Sequence, residues 1–178
     1  TNFDRGGFGT TVGRTVFANS LGFAGSYDSS LISLSAIPVA TDGEQMQRDY
    51  WYDMRRSLAE METPESIGRK AALRTLRRLG ARKVETCDVP VVFEPTIARD
   101  LLGTVFSACS GESVYRKASL FADSLGEIVA SSMLSVIDDG RVVKGIGSRP
   151  FDGEGLPTRR TAVIRDGVLE NFLLNTYT

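Results

Sequence analysis

The pattern of apolar and polar positions divides the chain into a β-rich first part and a second part that mixes helix and hairpin signals. Across residues 31–40 serine alternates with Ile32, Leu34 and Ala36, the period of two expected of a half-buried strand. Asp42-Gly43 is a hairpin signal, and residues 46–52 are placed to return as the partner strand. Upstream, Val16 and Phe17 precede a Gly/Ser-rich stretch, residues 19–26. Residues 1–13 carry Gly6, Gly7, Gly9 and Gly13 and read as a flexible connector. Gly7-x-Gly9 lacks the preceding strand and the glycine spacing of a dinucleotide-binding turn.

Two helices stand out. The first is expected over residues 64–79, with Thr63 as N-cap, Pro64 at the first helical position and Gly80 as the C-terminal stop. Its apolar stripe is Ile67, Ala71, Ala72, Leu76 and Leu79. The rest of its surface is basic, with Arg69, Lys70, Arg74, Arg77 and Arg78 followed by Arg82 and Lys83. Residues 89–93 read as a short buried strand. Pro95 then opens the second helix, over residues 95–107, and residues 107–117 read as a polar loop. Residues 133–137 form an expected strand closed by Asp138-Asp139-Gly140. Residues 161–165 and 168–174 flank Asp166-Gly167, a two-residue hairpin turn. Helices among locally connected hairpins indicate an α+β fold, rich in antiparallel sheet. The expected division is a hairpin plus basic helix over 1–86 and a helix plus antiparallel hairpins over 87–178. The ends of the chain carry no start or capping signals, so it reads as a fragment of a longer fold.

Composition narrows the function. Lys and Arg number 21 against 22 Asp and Glu, for a net charge of −1. The basic helix face is therefore expected to be solvated and balanced by acids, and nucleic acid is not the expected partner. No apolar run approaches the ~20 residues that span a bilayer. Cys87 and Cys109 make no disulfide framework and read as reduced thiols of a cytoplasmic protein. Tyr50, Trp51 and Tyr52 are expected to pack in core and interface.

The chain contains no histidine. It cannot build a Ser-His-Asp site or a histidine zinc helix from its own residues. Lysine is the remaining base for a serine nucleophile, but a Ser-x-x-Lys spacing does not occur; Ser113 and Lys117 are one helical turn apart if that stretch is helical. Asp138 with Asp139, and Asp152 with Glu154, are carboxylate pairs suited to a hard cation or to acid–base work, and equally to turn chemistry.

Four segments in order go further: Ser119-Leu-Phe-Ala-Asp-Ser-Leu-Gly-Glu127, Ser135-Val-Ile-Asp-Asp-Gly140, Phe151-Asp-Gly-Glu-Gly-Leu-Pro-Thr158 and Ile164-Arg-Asp-Gly-Val-Leu169. Together they resemble the TldD/PmbA family, the modulators of DNA gyrase, and Asn19-Ser20-Leu21-Gly22 resembles that family's Asn-Ser-x-Gly segment. The resemblance implies two branches that pair. TldD-like members bind zinc through His-Glu-x-x-x-His for peptide hydrolysis; PmbA/TldE-like members lack that motif. Counting back without gaps from Ser119 places the motif on Leu102-Gly-Thr-Val-Phe-Ser107, so Leu102 and Ser107 occupy histidine positions and Gly103 the glutamate position. The PmbA/TldE-like branch is therefore expected, with no metal or catalytic residue of its own. Zinc is expected only in a TldD-like partner, with self-association as the alternative assembly. The implied substrates are unfolded peptides, in peptide-antibiotic maturation and antitoxin degradation. Asn19, Ser20, Gly22, Asp138, Asp139, Asp152 and Glu154 are candidate cleft or structural residues. A stand-alone peptide- or protein-binding modulator without hydrolytic activity is the alternative, and a metal-independent carboxylate enzyme a third reading.

Overall fold

A computed structural model describes residues 2–178. The chain folds as an α+β protein of antiparallel sheets and short helices, in two compact units. One unit runs to Thr86 and takes in Val142–Pro157; the other is Cys87–Arg141 with Thr158–Thr178. Residues 142–157 thus return to the first unit. Arg56 holds that segment by donating to the carbonyls of Gly145 (3.3 Å) and Ile146 (2.5 Å).

The first unit is built on a long ribbon. β1 (Asn2–Ala18) and β2 (Ala24–Asp42) pair antiparallel from Asn2↔Val39 to Ala18↔Ala24. This corrects the flexible connector expected of residues 1–13 over residues 2–13, residue 1 lying outside the described residues. Glycine has poor intrinsic strand preference, but Gly7, Gly9 and Gly13 lie opposite Ser35, Ser33 and Ser29, and a complete ladder with β2 outweighs that preference. The return strand is interrupted: β3 (Gln45–Arg48) and β4 (Trp51–Arg55) both pair with β2, from Val39↔Arg48 and from Ala36↔Trp51. Both follow one register, so Asp49 and Tyr50 break a single hairpin arm. Gly43 makes the turn with φ +56.

Helix α1 (Pro64–Leu76) covers one face of this sheet, capped by Thr63 Oγ1 accepting from Ser66 N–H (3.2 Å). It ends three residues before the expected Leu79, because the chain tightens into i→i+3 bonds from Arg78 and Leu79 before Gly80 (φ +71). The buried stripe is Ile67, Ala71 and Thr75, packed on Ala36, Leu34 and Trp51; Leu76 lies outside it. Thr75 is tolerated there because its hydroxyl donates to the carbonyl of Ala71 (2.9 Å). The aromatic trio divides by strand alternation: Trp51 packs beneath α1, while Tyr50 and Tyr52 stack on one another at 6.0 Å.

The second unit holds α2 (Pro95–Ala108), the short α3 (Gly111–Tyr115) and the sheet β5 (Val136–Asp139), β6 (Arg160–Arg165) and β7 (Val168–Leu169). Its core is Cys109, Val163, Ile164 and Leu169, with Val105 of α2 and Phe121, Val136 and Phe172 packed against it. Asp166 (φ +47) and Gly167 (φ +84) form the expected two-residue turn. A Cβ on Gly167 would collide with the carbonyl oxygens of Ala130 and Ser131, so the close approach of another backbone requires glycine. Three expectations are corrected here. Residues 89–93 are neither strand nor buried: Val92 is 96% exposed, and Pro90 has no N–H for a ladder. The polar stretch 107–117 contains α3, which Ser110 caps by accepting from Ser113 N–H. The strand expected at 133–137 lies two to three residues later, so Asp138 and Asp139 lie within β5 and the turn begins at Gly140.

Candidate functional site

The positions onto which the family resemblance counts the zinc motif lie on α2. Leu102, Gly103 and Ser107 are all exposed there, and none of this helix is fully buried. The Ser107 hydroxyl donates to the carbonyl of Gly103, one turn back, at 3.0 Å. Leucine has no lone pair, glycine has no side chain, and this serine is turned onto its own backbone, so these residues do not fit a zinc ion. Among the described residues no three His, Cys, Asp or Glu converge in a way that could hold a metal.

The remaining candidates fall into separate groups. In the first unit, Asn19 organises the β1–β2 turn. Its Oδ1 accepts from the N–H groups of Leu21 (3.0 Å) and Phe23 (3.1 Å), and its Nδ2 donates to the carbonyl of Glu154 (3.3 Å). Gly22 takes φ +90, and Ser20 is exposed in the turn. Asp152 does the same work in the second loop: its Oδ1 accepts from Glu154 and Leu156 N–H groups, both at 2.9 Å. The two loops meet over an aromatic cluster in which Phe151 lies 5.1 Å from Phe23 and 5.3 Å from Tyr27, both edge-on, with Phe17 5.9 Å from Phe23. Gly25 and Gly155 admit these rings; a Cβ on Gly155 would stand 2.7 Å from Phe23 Cδ1. The sequence reading named Asn19 and Asp152 as candidate cleft or structural residues and did not single out the four rings, whose sole local signal is Phe151 next to Asp152.

In the second unit, Asp138 is exposed on β5, while Asp139 accepts from Arg141 N–H (3.0 Å) and faces Arg160 at 3.7 Å. Asp139 therefore has a turn and ion-pair role. Ser113 lies in α3 and accepts a hydrogen bond from Ser110 Oγ (3.0 Å), whereas Lys117 follows the helix at φ +53.

The basic face of α1 is matched by acids. Lys70 pairs with Glu62 at 2.7 Å, and Arg74 and Arg78 face Asp49 at 3.7 and 3.8 Å. The bond from Lys70 holds the Glu62 carboxyl below the usual range, helped by Ser66 and Trp51 against the opposing effect of burial. Burial of Asp53 works to raise its pKa, but N–H groups of Glu62 and Met54 (both 2.9 Å) and the Arg55 guanidinium together outweigh it and hold that carboxyl low. Burial pushes the Cys109 thiol up, while Cys87 is exposed.

Chemically, then, the described residues supply turns, ion pairs and an open strand edge. β1 pairs with β2 and with no other described strand, so its outer backbone donors and acceptors are available to an added strand. No helix of the described residues is long and apolar enough to cross a membrane.

Comparison with known proteins agrees with this architecture along its length. Residues 2–79 match the PmbA/TldA metallopeptidase central domain and residues 86–178 the C-terminal domain of the same family. Metalloprotease PmbA of Escherichia coli O157:H7 is 40% identical over 177 residues, which cover 99% of this chain and 39% of that protein. A crystal structure from Bacteroides thetaiotaomicron VPI-5482, described as a candidate modulator of DNA gyrase, superposes with a TM-score of 0.91 at 32% identity, over 97% of this chain and 39% of that one. TldE of Thermococcus kodakarensis, at 24% identity, shares the fold with a TM-score of 0.86, over 97% of this chain and 39% of its own. The chain thus spans about two-fifths of the length of these relatives, at 39% of each. With both of its halves matched and its fold shared, the chain belongs to the TldD/PmbA family.

Proposed function

We propose that this chain is part of a non-catalytic, PmbA/TldE-like subunit of a cytoplasmic zinc peptidase, in which a TldD-like partner carries the His-Glu-x-x-x-His helix. The observation that carries the reading is α2, where Leu102 and Gly103 offer no donor and Ser107 is bonded to the Gly103 carbonyl. The metalloprotease names of relatives such as PmbA of Escherichia coli O157:H7 support the link to proteolysis.

The unpaired edge of β1 supports a role in holding substrate. An extended, unfolded peptide can add to such an edge through backbone hydrogen bonds that do not depend on its sequence. Holding a peptide in register with a partner's metal lowers the entropic part of the barrier without any reacting group on this chain. Substrates in this reading are unfolded peptides, such as peptide-antibiotic precursors and antitoxins.

The test is cleavage of an unstructured reporter peptide by the protein alone and mixed with a His-Glu-x-x-x-His partner, each with zinc or with chelator. Turnover confined to the zinc-loaded mixture is expected. Chelator-resistant turnover by the protein alone would overturn the reading. Binding without turnover in every arm would favour a stand-alone modulator instead.

A further inference from the structure

The first unit has a polar cleft of about 410 Å³ that the proposed function leaves unused, lined by Asp4, Arg5, Ile37, Arg48, Asp49, Tyr50 and Arg78. A β-bulge builds it. Phe3 pairs with Pro38 and Arg5 with Ile37, so Asp4 is the extra residue in β1. In such a bulge two residues oppose one, and their side chains are re-aimed together. Asp4 and Arg5 are thereby brought to the same cleft as Ile37, and Tyr50, in the break between β3 and β4, closes the row opposite Ile37. Without the bulge, Phe3 and Arg5 would share a face. With it, Phe3 joins Gly6 and Phe8 beside α1 and Arg5 is placed in the cleft.

The charges in the cleft do not balance. Three guanidinium groups face two carboxylates. Arg48 donates to Asp4 at 3.2 Å and Arg78 approaches Asp49 at 3.8 Å, each leaving most of its five N–H donors uncommitted. Arg74 also faces Asp49, at 3.7 Å, which further neutralises that acid. The Arg5 guanidinium has no ion-pair or hydrogen-bond partner among the described residues. The cleft therefore carries a positive surplus, beside an aromatic wall and at one end of the open strand edge.

We infer that this cleft binds the carboxylate of a peptide, with Arg5 as its principal anchor. Arginine forks match carboxylates in two-point geometry, and Tyr50 supplies a flat flank for the adjoining residue. The inference deepens the peptide-holding role and rests on that reading for the nature of the ligand. The group can be a C-terminal carboxylate or an acidic side chain, since both present the same two oxygens.

The test follows arginine Nε–H signals by NMR in the full protein during titration with N-acetyl-Ala-Ala, its C-terminal amide, N-acetyl-aspartate amide, and inorganic phosphate. Saturable shifts with one or both carboxylate ligands are expected, at least about tenfold tighter than any response to the Ala-Ala amide, as charge-assisted hydrogen bonds imply. The stronger of the two carboxylate arms identifies the source. Arg5→Ala is expected to weaken that binding about tenfold while leaving the backbone spectrum in place, and Arg5→Lys to recover part of it. Equal responses to acid and amide, no response, an unaffected Arg5→Ala variant, or tighter binding of phosphate than of either carboxylate would each overturn the inference. Cleavage by the zinc-loaded mixture is scored separately. A blank titration with intact cleavage sinks only the cleft, and a positive titration without cleavage sinks only the subunit reading.

Discussion

Asp152 is the residue whose two interpretations separate most cleanly. A carboxylate in a glycine-punctuated loop can be a catalytic acid or a turn-maker, and the structure shows it bonded to the N–H groups of Glu154 and Leu156 at 2.9 Å each. Asp152→Ala removes both acceptor contacts. A net hydrogen bond contributes about 0.5–1.5 kcal/mol, and in this partly exposed loop water can reach the orphaned donors, so the loss is about 1–2 kcal/mol. At roughly 2–4 °C per kcal/mol for a chain of this size, the melting temperature falls by about 2–8 °C. Asp152→Asn keeps an acceptor oxygen in the same place and is expected to cost less than about 0.5 kcal/mol. The assay is urea and thermal unfolding of the three proteins, together with peptide cleavage by the assembled complex. If Asp152→Asn is as damaging as Asp152→Ala, the hydrogen-bond account of the loop is wrong. If Asp152→Ala abolishes cleavage with unfolding unchanged, the residue takes part in chemistry and the turn role is refuted.

Other consequences follow from the same geometry. Gly155→Ala is expected to lose about 2–4 kcal/mol, combining a left-handed φ of +84 with overpacking against Phe23, whereas Gly153→Ala, with nothing near its Cβ, is expected to be near neutral in the same unfolding assay. Asp53, 8% exposed, has its folded pKa held low, so its stabilising effect is present above the unfolded carboxylate pKa of about 3.9 and is lost as pH falls through the folded value. The urea-stability gap between the parent and Asp53→Asn should therefore be constant near neutrality and shrink in the acid range; a gap unchanged down to about pH 2 contradicts this. Under native conditions a thiol reagent should modify Cys87 and spare Cys109 until the protein unfolds, and equal rates would contradict the burial of Cys109.

Much of this fold is legible from side-chain periodicity alone, because β2, α1 and the Asp166-Gly167 hairpin each carry a local signal that agrees with their tertiary setting. β1 is the instructive exception. Its glycines speak for a loop, and only the long partner β2 makes a strand of it, an influence that no window within residues 2–13 contains. Residues 89–93 fail in the opposite sense: a Val-rich run meets the local criterion for a buried strand, yet no other described strand pairs with it. At the site, Asp152 is legible as a turn former, since its bonds reach neighbours two and four residues away, whereas Asn19 is named by the family resemblance and also bonds the distant Glu154. The aromatic cluster and the Arg5 cleft are not legible, since the first joins Phe23 to Phe151 and the second depends on a one-residue slip at Asp4. That the chain can supply no histidine ligand is legible directly from its composition.

The central claim is that this chain brings no zinc ligands to the assembly, and metal content measures that directly. After loading with zinc and removal of free ion, elemental analysis of the protein alone should give far less than one zinc per chain, and the complex with a His-Glu-x-x-x-His partner one zinc per pair. One tightly held zinc per chain in the protein alone would contradict the account, and would mean that donors other than Leu102, Gly103 and Ser107 form a metal site.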